Sequence, residues 1–291
     1  MEFVSKNARK LDFELMNYFF IHNNSNIVLN ELKKFQNADG GFGYGLEPDF
    51  RTPLSSNMAT TYAFQYLEKL NLAEIPHFFI SALKFFKEEY SKEHKGWPSI
   101  PEGANDSPRA EWWNFDEEQL WQDVNWGNPT VEIIGYLLRY ENDFDKTELT
   151  MLKQKALNRL FDAQEVEVHE LMCYQRFVHA LNDQEKHKVY EKICQLALDQ
   201  VNRDSSQWAD YVPRPLNFVD SPTSPVYGVL KNEVEMELDY LINTISEEGE
   251  WFPNWAWGQY KEEWQKVKPE VAGMVTVRNL ITLKLFGRIE S

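Results

Sequence analysis

Apolar residues fall three and four positions apart along most of the chain. Leu11, Leu15, Tyr18 and Phe19 show it first, then Tyr62, Tyr66 and Leu70 with Ala63 and Leu67 beside them. Leu152, Ala156, Leu157 and Leu160 repeat it, as do Val234, Leu238, Leu241 and Ile242. That spacing gathers side chains into one stripe on a helix, whereas a strand needs alternation at every second residue. Alternating runs of β-branched residues are scarce. The pattern predicts an all-α chain of about a dozen helices, given typical helix and connection lengths.

The turns between these segments share a chemistry. "DGGFG", "KGWPS", "SSQWADY" and "EGEWFPNW" each place an aromatic just after small or polar turn residues, at Phe42, Trp97, Trp208 and Trp251. The interval between Trp97 and Trp208 is twice the others and holds a glycine-free stretch, residues 148 to 182, that reads as a helix pair without the turn signal. A helix–loop–helix unit of this length exceeds a tetratricopeptide repeat and fits stacked α-hairpins closing into a ring. Asn128-Pro129 reads as a helix start, because Asn caps and Pro has no amide hydrogen to leave unpaired; Ser55 or Ser56 starts the helix carrying Tyr62. No Gly/Ser linker or low-complexity block divides the chain, so residues 1–291 are expected to form a single domain.

Bulk composition narrows the partners. With 291 residues and 43% hydrophobic content the chain can bury a large core. Forty-six acidic residues against 30 basic ones give a formal charge of -16, a field that repels phosphate backbones and anionic lipid surfaces, so nucleic acid is not an expected partner. No apolar run reaches the roughly 20 residues that span a bilayer, and the first residues lack the pattern of a signal peptide. An integral membrane segment is therefore not expected, and the cytoplasm is the expected location. Cys173 and Cys194 are too few for a disulfide framework or a four-cysteine zinc site and read as reduced thiols.

The run Gln36-Asn37-Ala38-Asp39-Gly40-Gly41-Phe42 resembles the glutamine-to-tryptophan repeat of the terpenoid cyclase and protein prenyltransferase superfamily, with Phe in place of the usual Trp. Glu248-Gly249-Glu250-Trp251 resembles a second copy, with Ile245 where the glutamine would stand. "GLEPDFRTP", "EWWNF" and "NWGNPT" are similar to strings in uncharacterised bacterial proteins usually grouped with those repeats. The resemblance implies an α/α toroid, inner and outer helices around a central cavity often lined with aromatics, and an isoprenoid-like ligand. It transfers no activity. The Asp-x-Asp-Asp acid motif and the Asp-Asp-x-x-Asp diphosphate motif of active members are absent from the sequence. The zinc set of the prenyltransferases has its nearest counterpart in His169, Cys173 and His179. His169 and Cys173 can share a helix face, but His179 is about 80 degrees off it at about 100 degrees per residue. No metal or cofactor is assigned.

Three clusters are candidates for chemistry. Glu47, Asp49 and Arg51 alternate just beyond the glycine turn, so an extended loop would point all three one way, as acid, base and anion clamp. A carboxyl serves as general acid only where burial or a like charge raises its pKa, and the alternative is a salt-bridged loop. "EWWNFDEEQLWQDVNW" holds Trp112, Trp113, Trp121 and Trp126 among acids that include Asp123, and "WFPNWAWGQYKEEW" holds Trp251, Trp255, Trp257, Tyr260 and Trp264. Eight of the ten tryptophans fall in these two stretches, and loops on a rigid scaffold commonly carry function.

The candidate catalytic residues are thus Glu47, Asp49 and Asp123. The candidate ligand-binding residues are Arg51, Trp112, Trp113, Trp126, Trp255, Trp257 and Tyr260. Such surfaces take apolar chains, or sugar rings that stack on tryptophan while carboxylates bind their hydroxyls. The expectation is a small-molecule ligand, isoprenoid-like by resemblance. A carbohydrate-active enzyme and a non-catalytic scaffold stand as alternatives, and the tryptophans can equally cover the ends of the helical ring. No Gly-rich phosphate loop and no Gly-x-Ser-x-Gly nucleophile elbow is present, which disfavours nucleotide and esterase chemistry.

Overall fold

Helices account for the regular structure of the computed structural model, which describes residues 2–290. In chain order they are α1 (Glu2–Asn7), α2 (Lys10–Asn17), α3 (Ser25–Leu32), α4 (Asn57–Lys69), α5 (His77–Glu88), α6 (Glu117–Leu120) and α7 (Gly127–Arg139). α8 (Lys146–Asp162), α9 (Val168–Phe177), α10 (Asp183–Gln200), α11 (Pro215–Phe218), α12 (Tyr227–Thr244) and α13 (Lys261–Leu285) follow. Extended pairing among the described residues is confined to four isolated bridges, so the all-α expectation holds. α8 and α9 are the glycine-free helix pair anticipated for residues 148 to 182.

Local chemistry sets several helix starts. The Ser56 hydroxyl accepts the Ala59 N–H at 2.9 Å, capping α4 as expected. At the start of α7 the backbone of Asn128 is non-helical and its peptide bond to Pro129 is cis. The Asn128 side chain does not cap there; its Oδ1 accepts from the Cys173 thiol at 3.5 Å.

The chain divides into two compact units: an internal one, Phe35–Leu196, and a terminal one, Met1–Lys34 with Ala197–Ser291. In the internal unit α7 packs against α4, α5, α8 and α9. Its core is aromatic: the Phe64 ring stacks on Tyr136 at 4.4 Å and on Phe86 at 5.6 Å and meets Phe79 edge-on at 4.8 Å. Burying a side chain of this size is worth about 1.5–3 kcal/mol, so this cluster fastens α4, α5 and α7 together. In the terminal unit α1 and α2 pack on α13, α2 on α3, and α11 on α12. Gly273 of α13 lets the chain at Ala8 approach closely, since a Cβ there would lie 2.6 Å from the Ala8 Cα.

The aromatic turns share one hydrogen-bonding scheme. In three of them the residue before the aromatic accepts a backbone N–H from four or five residues back: Asn37 to Gly41, Ser91 to Gly96, Ser246 to Glu250. The aromatic's own N–H then donates to a threonine hydroxyl on a later helix. The pairs are Phe42 to Thr60 at 3.0 Å, Trp97 to Thr130 at 3.1 Å and Trp251 to Thr276 at 3.1 Å. Thr60 and Thr276 pass the bond on, each donating at 2.7 Å to the carbonyl four residues earlier. All three aromatics are buried, and a buried N–H without a partner is costly, so the threonine is what lets the turn enter the core. The indole N–H groups of Trp97 and Trp251 donate to Phe86 and Leu241 on the preceding helices, at 2.5 and 2.9 Å. Phe42 has no such group, and Gln36 instead donates to the carbonyls of Gly40 and Phe78 at 2.9 Å each. The fourth turn differs: the Trp208 indole donates to Asn202 in its own loop at 3.0 Å.

Candidate functional site

The acidic segment after the glycine turn does not run extended. Leu46 N–H donates to Gly43 and Phe50 N–H to Glu47, so residues 43–50 wind through successive turns. Only then does the chain pair, Ala110 N–H with Asp49 and Arg51 N–H with Pro108, at 2.8 and 3.0 Å. The extended loop expected to point Glu47, Asp49 and Arg51 one way is not formed, and the segment is buried: Glu47 and Asp49 are 3% and 6% exposed, and Arg51 is half-buried. Arg51 folds back over the loop, where a Cβ on Gly45 would come within 2.9 Å of the guanidinium carbon; Gly45 also has φ +72. Phe50 anchors the segment in a cluster with Ile100 and Ala104, covered by Trp113, Phe115 and Leu120. Trp113 is thus a half-buried wall of that cluster, with its ring 6.3 Å from Phe50, while Trp112 beside it is exposed.

Asp123 and Trp126 meet elsewhere in the internal unit, at a cleft of about 100 Å³ lined also by His94, Trp97, Trp121, Gln122, Thr130 and Lys155. The loop that forms it is held by short-range bonds. Asp116 caps α6 by accepting from the N–H groups of Glu118 and Gln119 at 3.1 Å, and Asn125 donates to the Gln119 carbonyl at 2.7 Å. Trp126 is buried, and its indole donates to the Lys95 carbonyl at 2.7 Å. Trp121 is half-buried and stacks on the His94 imidazole at 4.1 Å and 7°. The tight passage at Gly127 explains its residue type, since a Cβ there would lie 2.0 Å from the Glu170 carboxyl carbon.

Charge in the cleft is arranged by α8. Arg159 forms two bonds with buried Glu170, at 2.7 and 3.0 Å, and one with the exposed Asp123 at 2.7 Å. These partners hold its guanidinium above its ordinary basicity. Lys155, one turn earlier, places its ammonium 4.1 Å from the Trp126 ring centre. Desolvation lowers the Lys155 pKa, with Asp123 opposing and Arg159 adding to the shift. An open depression along α8, lined by Met151, Gln154, Asn158 and Arg159, shares Asp123 and Lys155 with the cleft. Asp123 and Trp126 are therefore brought together by the fold, and Glu47 and Asp49 line neither cleft nor depression.

A second polar assembly, among α4, α7 and α9, was not anticipated. The Glu132 carboxylate, 1% exposed, accepts from Gln65 at 3.0 Å and from Tyr136 at 2.5 Å and pairs with Arg176 at 2.8 Å. The Cys173 thiol also faces it at 3.6 Å. Burial, followed by the negative field of Glu132, pushes both Cys173 and Tyr136 well above their ordinary values, so both remain protonated donors. Glu68 pairs with Arg139 alongside, and burial raises its pKa against the pull of that arginine. Every oxygen of Glu132 is engaged, which marks the group as a brace between helices. The signal in the sequence was a lone carboxylate inside the apolar run "VEIIGYLL".

The remaining candidates belong to the terminal unit. Trp257 is fully buried against Trp264 at 5.4 Å and forms core. Trp255 is half-buried and meets Tyr211 edge-on at 6.4 Å; Tyr260, partly exposed and at φ +48, precedes α13. Of the ten tryptophans, Trp97, Trp126, Trp208, Trp251, Trp257 and Trp264 are buried, so core packing, much of it by loop residues, accounts for most of them. His169 pairs with Glu167 at 2.6 Å, and among the described residues no group of three or more His, Cys, Asp or Glu is arranged to hold a metal. No helix among them is long and apolar enough to cross a membrane. No family model, curated protein or solved structure matches this chain.

Proposed function

We propose that this chain is a cytoplasmic ligand-binding protein that takes a compact organic ring, of the sugar class, in the cleft beside Trp121 and Trp126. The observation that carries this reading is the juxtaposition of the exposed part of the His94–Trp121 stack with the Lys155 ammonium and the Asp123 carboxylate around one opening. An aromatic face takes the apolar side of a ring, while the charged groups meet its polar substituents. The cleft itself, at about 100 Å³, has room for no more than one small ring, and the open depression of about 600 Å³ that shares Asp123 and Lys155 leaves space for substituents beyond it.

The test is ligand-observed NMR with monosaccharides and with isoprenols of increasing length, comparing the native protein with Trp121→Ala. Saturation transfer to a monosaccharide that is lost in Trp121→Ala supports the reading. Transfer to isoprenols alone, or no transfer to any compound, refutes it.

The α/α toroid belongs to the same proposal. The threonine-anchored turn supports it, because one hydrogen-bonding scheme recurs at Phe42, Trp97 and Trp251, as stacked copies of one hairpin would require. An elongated isoprenoid, the ligand implied by the resemblance, stands as a second reading, which the isoprenol arm of the experiment addresses.

A further inference from the structure

The polar groups around the cleft are unequally committed. Asp123 is tied to Arg159, the Asn125 amide to the Gln119 carbonyl, and the Thr130 hydroxyl to the Trp97 N–H. Among the described residues, none forms an ion pair or hydrogen bond with the Lys155 ammonium, the His94 ring nitrogens, the Trp121 indole N–H or the Gln122 side-chain amide. Arg159 pairs with two carboxylates, while Lys155, solvent-exposed one turn away on the same face, sets its ammonium over the Trp126 ring and feels Asp123 and Arg159 only through space.

We propose that the ring bound in this cleft carries a carboxylate, and that Lys155 is the residue that recognises it. The ligand class is a hexuronic acid: its carboxylate meets the ammonium, its ring lies against Trp121, and its hydroxyls reach Gln122 and the remaining lone pairs of Asp123. An oxyanion fits here because the Lys155 ammonium and the Trp121 indole N–H can only donate, and an ammonium bonded to an anion is stronger than one left to water and a π face. An anion beside Lys155 favours its charged form and so opposes the lowering of its pKa by desolvation. The inference rests on the ligand site proposed above and adds the charge of its occupant.

Isothermal titration calorimetry of the full chain with D-glucuronate, D-glucose and glucose 6-phosphate tests it, using the native protein, Lys155→Met and Lys155→Arg. Lys155→Met keeps the apolar stem over Trp126 while removing the charge. The expected result is that glucuronate binds at least about tenfold more tightly than glucose, the loss of one charge-assisted hydrogen bond in Lys155→Met erases that margin, and Lys155→Arg restores part of it. Equal affinities for glucose and glucuronate overturn the inference while leaving the ring-binding site in place. Tighter binding of glucose 6-phosphate than of glucuronate overturns the carboxylate assignment in favour of phosphate. Absence of binding by all three sugars overturns both the inference and the sugar reading. Thermal melting of each variant, expected to match the native protein, separates lost recognition from lost fold.

Discussion

The backbone N–H of Trp251 donates to the hydroxyl of Thr276 at 3.1 Å, and that hydroxyl donates in turn to the Ala272 carbonyl at 2.7 Å. One side chain thereby joins a loop to the interior of α13, at a position that is 0% exposed. Thr276→Val preserves shape but leaves the Trp251 N–H buried and unpaired. The expected cost is about 1–3 kcal/mol, and Thr276→Ser, which keeps the hydroxyl, recovers most of it. Urea unfolding of the two variants checks this; equal stabilities would show that the hydroxyl bond contributes nothing.

Gly40 and Gly249 occupy matching places in two of the aromatic turns, with φ of +92 and +88. They differ in surroundings: a Cβ on Gly40 would lie 2.3 Å from the Ser81 backbone carbonyl oxygen, whereas nothing lies within 4 Å of one on Gly249. Gly249→Ala should therefore cost only backbone strain, about 1–3 kcal/mol, and Gly40→Ala should cost more, because a backbone atom must move as well. Thermal melting orders the two. A larger drop for Gly249→Ala would refute the argument from close approach.

Features set by neighbours in sequence were readable in advance, and features set by distant partners were not. The helical period of Leu152, Ala156, Leu157 and Leu160 and the cap at Ser56 depend on residues within one turn. Phe42, Trp97 and Trp251 announced buried turns through their flanking residues, but Thr60, Thr130 and Thr276 lie 18, 33 and 25 residues further on and carry no local mark. The candidate site followed the same rule. Asp123 and Trp126 stood out from their own segment, while His94 and Lys155 joined them only through folding. For Glu47 and Asp49 the acidity was plain and the burial was not, because the turn at residues 43–50 takes its shape from Gly45, Arg51 and the pairing with Pro108 and Ala110.

The two thiols should react at very different rates. Cys173 is 1% exposed, and burial together with Glu132 pushes its pKa well above the ordinary thiol value. Cys194 is half-buried, with a pKa raised by burial and by Glu191. The thiolate is the reactive form, so iodoacetamide at mildly alkaline pH should modify Cys194 slowly and Cys173 only once the chain is unfolded. Peptide mass spectrometry after native and denatured labelling reads the difference. Comparable native labelling of both cysteines would contradict the buried thiol–carboxylate contact.

Glu68 gives stability a pH dependence of unusual sign. Burial raises its folded pKa above the ordinary 4.5, Arg139 and Arg176 pull the other way, and Glu132 adds to the rise. A carboxyl with a raised folded pKa holds its proton more tightly in the folded than in the unfolded chain. Between the unfolded and folded values the native state therefore binds more protons, and this group's contribution to stability falls as pH rises through that window. Carboxylates with lowered pKa values, such as Glu148 beside Tyr90 and Lys95, act oppositely and lose their contribution as pH falls. Glu68→Gln removes one descending contribution. Relative to the native protein, the variant should gain stability as pH rises from about 4.5 through the folded-state pKa of Glu68 and hold level above it, superimposed on a penalty for leaving Arg139 without its partner. Urea midpoints measured in steps from pH 4.5 to 8 test this, and a difference between variant and native protein that does not change with pH would show that Glu68 titrates alike in both states.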